Sequence, residues 1–228
     1  MGRWFHQHLG PLIFGVVGVV FLIVGVGLSW GSYATGQQAK AVASLPLVNA
    51  EQLSQLAAGQ QVGVEGRISE RNTAAYEELV IYTARRFRGI ECDRNSNDNT
   101  RSNCKQVWDE VERVAPAIWL DVPGGRLRLA NANYALYHPP EQWQNTPFPV
   151  EGRTLEYSGF KVGSPVFVSG TIDPAGDALR ADFLSGGDRA AYLAGEQQSA
   201  GILLIIGLIF GGLGLLFAGI GVAWGFWA

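Results

Sequence analysis

A general base in this sequence would come from His138, which lies in the segment Tyr137-His-Pro-Pro-Glu141. The two prolines that follow it exclude a regular helix at that point. No phosphate-binding Walker loop, His-Glu-x-x-His or Gly-x-Gly-x-x-Gly motif accompanies it in the chain. We therefore expect no catalytic residue. An enzyme that uses His138 with a carboxylate such as Glu141 is the alternative.

The two cysteines of the chain, Cys92 and Cys104, are predicted to form a disulfide bond. They bracket residues 93–103, a polar segment without an apolar side chain that is typical of a loop. In the chain-entropy model a bond that closes such a loop stabilises by roughly 3 kcal/mol, and it persists only in an oxidising compartment. The alternative is two free thiols. We expect no metal site, because two cysteines without a nearby histidine do not complete a tetrahedral zinc set, and we expect no cofactor.

Three arginines, Arg85, Arg86 and Arg88, form a cluster for which two functions are open. Acidic residues follow at Glu91 and over 109–112. A hairpin that joins the two segments would pair these charges as a solvated ladder, which is the ordinary outcome. The alternative is a binding site for an acidic partner or a lipid head group.

Composition excludes two large classes of protein. The chain has 228 residues, 47% of them apolar and 16% charged, which is too apolar for a disordered protein. With Lys+Arg 17 against Asp+Glu 20 it lacks the basic excess of a nucleic-acid-binding protein. The charges are also unevenly placed, because Arg3 is the only charged side chain before Lys40 and none follows Glu196.

Two uncharged segments at the ends predict transmembrane helices over residues 9–30 and 200–227. The first contains twenty apolar or weakly polar residues in succession, enough for an α-helix to cross a hydrocarbon core of about 30 Å. Both termini then lie on one side of a cell membrane. Arg3 favours the cytoplasm for them and an extracytoplasmic location for the middle of the chain, in agreement with the predicted disulfide. The alternative for the first segment is a cleaved signal peptide, with small residues at Ala39 and Ala41.

Small residues recur along both segments at intervals of three and four, which predicts close helix packing. Association in lipid relies on such faces, where two backbones approach each other. Neither segment carries an ionisable side chain, the feature that usually marks an ion or proton pathway through a membrane. The faces would join the two helices as an antiparallel pair or dock on another membrane protein. The predicted packing positions are Gly15, Gly18 and Gly25 in the first segment and Gly207, Gly211, Gly214, Ala218, Gly221 and Gly225 in the second.

The middle of the chain, residues 49–187, predicts a soluble domain of mostly antiparallel β structure. A stalk over 31–48 precedes it, and a juxtamembrane helix over 188–199 follows it. Asn49 and Gln52 predict a capping box for a helix that ends at Gly59. Alternation and turn residues predict strands over 62–68, 78–88 and 105–114 and two hairpins, one over 118–129 and one over 166–183.

One motif occurs twice in the soluble domain. Gly59-x-x-Val62-x-Val64-x-Gly66-x-Ile68 matches residues 163–172 at five of ten positions. A glycine before the last isoleucine would allow the sharp bend that a small barrel requires at its corners. This pattern suits a strand of an OB-like barrel, and it arises either from duplication or from convergent strand chemistry.

The order of features resembles the GIDE family, the membrane-embedded ubiquitin ligases of mitochondria and chloroplasts with their prokaryotic relatives. The likeness lies in the N-terminal anchor, Val64-Glu-Gly-Arg-Ile68, Glu156-Tyr-Ser-Gly-Phe-Lys-Val-Gly163, Gly170-Thr-Ile172, and the segment after Phe183-Leu-Ser-Gly-Gly187 that leads into a second anchor. The resemblance implies a β-rich domain held beside a bacterial membrane between two helices. It does not imply ligase activity, because two cysteines cannot supply the eight zinc ligands of a RING.

These observations together predict an α+β membrane protein with two transmembrane helices that flank a β-rich, OB-like barrel domain. The expected function is that of a non-enzymatic binding or scaffolding module, an accessory subunit of a larger membrane complex. Its expected partners are membrane lipids and another membrane protein or a second copy of the chain, and not nucleic acid. A sensor of a small molecule or lipid is a further alternative.

Overall fold

The chain forms two compact units, residues 1–44 with 193–228 and residues 45–192. The computed structural model describes residues 2–53, 55–92, 104–175 and 178–227, and side chains only within 13–223 of these.

The first unit consists of two long helices, α1 (Gly2–Ser44) and most of α3 (Arg189–Trp227). Over Ile13–Ser44 and Arg189–Ala223 these helices are long and apolar enough to cross a membrane, judged by length and composition. They pack as an antiparallel pair. The ring centroids of Phe21 and Phe210 are 5.3 Å apart and those of Phe14 and Phe217 are 6.1 Å apart.

The second unit begins with a helix of one turn, α2 (Ala50–Leu53). The predicted capping box is present, since the backbone N–H of Gln52 donates to Asn49 Oδ1 and that of Asn49 donates to Gln52 Oε1. The predicted extension of this helix to Gly59 is wrong. The chain turns instead through hydrogen bonds between residues three apart, such as Leu56 N–H to the carbonyl of Leu53.

Ten strands follow. The strands predicted from alternation and turn residues are present, and their ends differ from the predicted ones by at most four residues. Sequence reasoning missed the three strands between residues 135 and 161. The strands are β1 (Gln61–Ile68), β2 (Leu79–Cys92), β3 (Cys104–Val114), β4 (Trp119–Val122), β5 (Gly125–Leu129), β6 (Ala135–Tyr137), β7 (Glu141–Gln144), β8 (Leu155–Lys161), β9 (Pro165–Ile172) and β10 (Ala178–Gly186).

Five of these strands form a closed barrel in the order β5-β4-β1-β9-β10. The barrel closes where β10 pairs with β5. This pairing is parallel, and so is the pairing of β10 with β6. The sequence predicts mostly antiparallel strands and therefore misses the parallel contact that closes the barrel. Alternate residues of every barrel strand point inward. Among the fully buried side chains are Ile68, Leu120, Leu129, Ile172 and Leu179. Burial of such aliphatic groups supplies most of the stability of a small barrel.

The repeated motif places β1 beside β9 with local two-fold symmetry. Val64 pairs with Val168 at the centre of the register. The backbone N–H of Gly59 donates to the carbonyl of Ile172, and the N–H of Gly163 donates to the carbonyl of Ile68. The two copies therefore bond to each other in equivalent ways at both ends.

Two glycines of the motif let neighbouring strands approach closely. A Cβ atom at Gly66 would lie 2.7 Å from the carbonyl oxygen of Asp121 on β4, and one at Gly170 would overlap the carbonyl oxygen of Arg180 on β10. The register of β9 and β10 also shifts between Ala181 and Phe183, directly after the residue opposite Gly170. The glycines thus serve close strand packing next to a bulge.

The remaining long strands form a second, antiparallel sheet in the order β3-β2-β8-β7. Its strand β2 is 14 residues long and contributes Val80 and Ile81 to the main hydrophobic core. The sheet therefore shares the core of the barrel at one end of β2.

Candidate functional site

Polar side chains cross one face of the second sheet in two rows, with one residue from each of its four strands in a row. Pairing in the sheet fixes this arrangement, because residues opposite each other in register point to the same side. The first row is Glu110, Arg85, Glu156 and Gln144, and the second row is Arg113, Thr83, Ser158 and Gln142.

The opposite face of the sheet is aromatic. The ring of Tyr157 stacks on Tyr76 with centroids 4.4 Å apart and on Trp143 with centroids 4.6 Å apart. Tyr82 completes the cluster and is buried with Tyr157. Burial raises the pKa of Tyr157 to about 12. The aromatic face is packed, and the opposite face carries polar side chains.

A cleft of about 390 Å³ opens over the polar face. Its sheet side includes Thr83, Arg85, Glu110, Arg113, Gln142 and Ser158, and its other side includes Leu136 and Pro139. Within the part of the chain that the structure describes, no hydrogen bond reaches the hydroxyl of Thr83 or Ser158. The cleft therefore presents two free hydroxyls beside charged side chains.

The charges of the cleft are largely neutralised within the protein. Arg85 forms an ion pair with Glu156 through Nε and Nη2, and Arg113 Nη2 lies 3.0 Å from Glu110 Oε2. The Glu156 side chain is 8% exposed. Burial acts to raise the pKa of Glu156, but hydrogen bonds from Arg85 and Gln144 outweigh it and hold that pKa below its ordinary value.

Replacement of Glu156 by glutamine is expected to change how the stability of the protein depends on pH. Because the folded-state pKa of Glu156 is lowered, its stabilising contribution is present above its unfolded-state pKa and is lost as the pH falls through the folded-state value. Glu156→Gln should therefore cost roughly 1–2 kcal/mol at neutral pH and progressively less below pH 4. Thermal unfolding of both proteins across this pH range measures the difference. A stability difference between the two proteins that stays constant with pH would contradict the lowered pKa of Glu156. Glu151→Gln, at an exposed glutamate, is the control.

The three predicted binding arginines lie on β2 but have different surroundings. Arg85 lines the cleft as described. Arg88 takes part in an exposed charge ladder, with Nη2 3.0 Å from Glu91 and Nη1 3.7 Å from Asp109. Arg86 stands opposite Asp109 in register, without an ion pair among the described residues. The ladder expected from the sequence applies to Arg88, whereas the carboxylate that binds Arg85 comes from β8.

The structure does not bring His138 together with Glu141 as an acid–base pair. His138 Nδ1 lies 3.3 Å from the buried Ser185 Oγ, whereas Glu141 Oε1 lies 3.0 Å from Lys161 Nζ. The backbone of His138 has φ of 49°, a conformation that non-glycine residues rarely adopt. The contact with Ser185 is the geometric basis of any enzymatic alternative.

A second serine has the spacing of a hydrolase nucleophile but not its setting. Gly27-Leu-Ser29-Trp-Gly31 fits Gly-x-Ser-x-Gly, which requires a sharp turn from a strand to a helix. Here the segment lies inside α1, and the Ser29 hydroxyl donates to the carbonyl of Gly25 at 2.9 Å. It is a helix-packing serine.

Cys92 and Cys104 face each other at the ends of β2 and β3, with their sulfur atoms 2.07 Å apart, the distance of a disulfide bond. The loop that they bracket, residues 93–103, lies outside the described residues. Among the described residues, no group of three or more histidine, cysteine, aspartate or glutamate side chains is placed to hold a metal ion.

Four of the predicted packing glycines lie where α1 and α3 touch. A Cβ atom at Gly18, Gly25, Gly207 or Gly214 would come within 2.6–2.7 Å of an atom of the other helix. Gly18 contacts the backbone of Ala218, and Gly25 contacts the backbone of Gly211. A Cβ atom at Gly211 itself would meet open space. A Cβ atom at Gly15 would also meet open space. Gly221 is buried, and Gly225 lies outside the residues whose side chains the structure describes.

Sequence reasoning missed the cleft residues of β7 and β8. Their signal is short alternation, with Gln142 and Gln144 around Trp143 and with Glu156 and Ser158 around Tyr157. This pattern places polar groups on one face and rings on the other.

In comparisons with known proteins, no family model, no curated protein and no solved structure matches this chain.

Proposed function

We propose that this chain is a non-enzymatic, two-span membrane protein whose β domain binds a partner through the polar cleft. The observation that carries the proposal is the pair of hydroxyls, on Thr83 and Ser158, that have no hydrogen-bond partner among the described residues and line a cleft with Arg85 and Arg113, whose charges are paired within the protein. A surface of this kind recognises polar groups by hydrogen bonds without attracting ions strongly.

The composition of the cleft supports binding over catalysis. Catalysis of acyl or phosphoryl transfer needs a nucleophile with an adjacent base, or a cluster of ligands for a metal. Among the described lining residues, the hydroxyls stand beside arginines and carboxylates that are already engaged with each other. The volume of the cleft falls within the range of about 300–1,000 Å³ that small-ligand and side-chain pockets occupy.

The membrane anchor rests on the two apolar helices of the first unit. Their length, their composition and the close glycine contacts between them support insertion as a packed pair. We propose a cell-membrane location with the β domain outside the cytoplasm, where a bond between Cys92 and Cys104 would persist.

Two apolar helices support a partner that lies in the same membrane. A second membrane protein or another copy of this chain would meet the β domain at high effective concentration, so that a modest cleft suffices for stable association. Membership of the GIDE group is part of this proposal, and a β-rich unit between two apolar helices supports it.

Capture from membranes tests the cleft as the binding site. The full chain, purified in mild detergent, should retain a stoichiometric partner or a second copy, and Thr83→Val with Ser158→Ala should lose it. Because neither hydroxyl is bonded within the described protein, the variant should fold normally. Thr73→Val, at an exposed threonine outside the cleft, is the control. Unchanged capture by the cleft variant, or a clean monomer from the wild type, would contradict the proposal.

The contact between His138 and Ser185 favours an enzyme as the second candidate function. His138→Ala distinguishes the two. Loss of the cellular function with an intact fold and an intact partner complex would favour the enzyme, whereas a binding module should tolerate this substitution.

A further inference from the structure

The second polar row of the cleft crosses all four strands of the second sheet. It consists of Arg113, Thr83, Ser158 and Gln142, each opposite the next in register. Neighbouring strands of a sheet lie about 4.8 Å apart, so four side chains in one row extend over about 14 Å. The row therefore presents polar groups at a regular interval along a line that crosses the strands.

Each member of this row is able to form hydrogen bonds with a ligand. The hydroxyls of Thr83 and Ser158 are half-buried and have no hydrogen-bond partner among the described residues, and a hydroxyl both donates and accepts. Arg113 uses Nη2 for Glu110, whereas its Nε and Nη1 donate to no residue in the described part of the chain. The exposed side-chain amide of Gln142 supplies a carbonyl oxygen. Donors and acceptors are thus both present along the row.

The charges around the row favour an uncharged ligand. The charged residues that line the cleft, Arg85, Glu110 and Arg113, all belong to ion pairs within the protein. A ligand with a net charge gains little from such groups, because each already has a partner of opposite sign. Hydrogen bonding is the interaction that the sheet side of the cleft offers.

The other side of the cleft adds apolar contact. It includes Leu136 of β6 and Pro139, which follows in the chain. A ligand that fills this cleft of about 390 Å³ presents hydrogen-bonding groups to the sheet and C–H groups to Leu136 and Pro139. A pyranose ring has both, since hydroxyls project from its edge and C–H groups form its faces.

We propose that the cleft binds a neutral saccharide chain whose successive sugars lie along the second polar row. The inference rests on the proposed function of the cleft as a binding site, and it names the chemistry that enters the cleft. The spacing supports it, because the interval of about 4.8 Å between strands is close to the length of one sugar in a β-1,4-linked chain. The saccharide is either free or carried by the membrane partner, and its hydroxyls are the same in both cases.

An extended polypeptide segment fits the row less well. Its side chains on one side recur only at every second residue, at intervals of about 6.8 Å. This interval does not match the row, so few groups of the segment would meet Thr83, Ser158 and Gln142 together. The spacing therefore favours a sugar chain over a peptide.

Titration of the full chain with defined oligosaccharides tests the inference. The protein is reconstituted in nanodiscs of phosphatidylcholine, which contain no sugar, and saturation-transfer NMR measures the binding of cellotetraose and of tetra-N-acetylchitotetraose. At least one of these neutral chains should bind, and the anionic tetragalacturonate should bind more weakly. Thr83→Val with Ser158→Ala should weaken binding about 25-fold, at roughly fivefold for each hydroxyl.

Two control variants show whether the cleft hydroxyls are responsible. Thr73→Val with Thr171→Val removes two hydroxyls outside the cleft and should leave the affinity unchanged. Thr83→Ser keeps the hydroxyl and should bind like the wild type. Equal losses in the cleft and control variants, tighter binding of tetragalacturonate, or no binding of either neutral chain would overturn the inference.

Capture from membranes separates this inference from the proposed function. If the cleft variant loses its protein partner but neither neutral chain binds the wild type, the proposed function stands and the inference fails. If a neutral chain binds, treatment of the membranes with periodate, which cleaves vicinal diols, identifies the source of the sugar. Loss of capture after periodate places the sugar on the partner, unchanged capture places it on a free saccharide, and both results agree with a saccharide site.

Discussion

Replacement of Gly25 or Gly214 by alanine is expected to destabilise the helix pair by roughly 2–3 kcal/mol. A Cβ atom at Gly25 would lie 2.6 Å from the backbone nitrogen of Gly211, and one at Gly214 would lie 2.7 Å from that of Leu22. Backbone atoms inside a helix cannot move aside without shifting the whole helix, so the two helices must separate. Unfolding of the full chain in mixed micelles with increasing SDS, followed by tryptophan fluorescence, measures the loss.

Two other glycines of the same helices provide the matched control. A Cβ atom at Gly27 or Gly219 would meet nothing within 4 Å. Gly27→Ala and Gly219→Ala should be neutral or stabilising by up to about 1 kcal/mol, because alanine favours the helix. If all four substitutions had the same effect, the antiparallel contact between α1 and α3 would be wrong.

The second large effect is expected in the barrel, where Gly170→Ala should cost about 3 kcal/mol. The added Cβ would overlap the carbonyl oxygen of Arg180 on the neighbouring strand, next to the bulge of β10. The strands would have to part at that point, which would disturb the packing of Ile172 and Leu179 inside. Thermal unfolding followed by near-ultraviolet circular dichroism reports the change in the β domain.

Thr171→Ala is the control for this substitution, because Thr171 lies next to Gly170 on β9 with its side chain outside the barrel. It should change the stability by less than about 1 kcal/mol. An undamaged domain in Gly170→Ala would show that β9 and β10 are not as close as the structure places them.

Local patterns in the sequence account for the elements that they predict. The long apolar runs specify α1 and α3, and alternation with turn residues specifies β1, β4, β5, β9 and β10. Asn49 and Gln52 specify the start of α2 through their reciprocal hydrogen bonds. In each case the signal is contained within about ten neighbouring residues.

The parts that sequence reasoning missed depend on contacts between distant residues. Arg85 is neutralised by Glu156, 71 residues away, and no local pattern identifies this partner. The barrel closes through the parallel pairing of Leu179 with Leu129, which alternation on either strand cannot reveal.

The most direct test of this account is alkaline carbonate extraction of the full chain carrying a different epitope tag at each end. If both apolar helices cross the bilayer, the chain stays in the membrane pellet after the wash, with both tags on one polypeptide. Release of the chain into the supernatant, or loss of the N-terminal tag through cleavage after the first helix, would contradict a β domain anchored by two membrane spans.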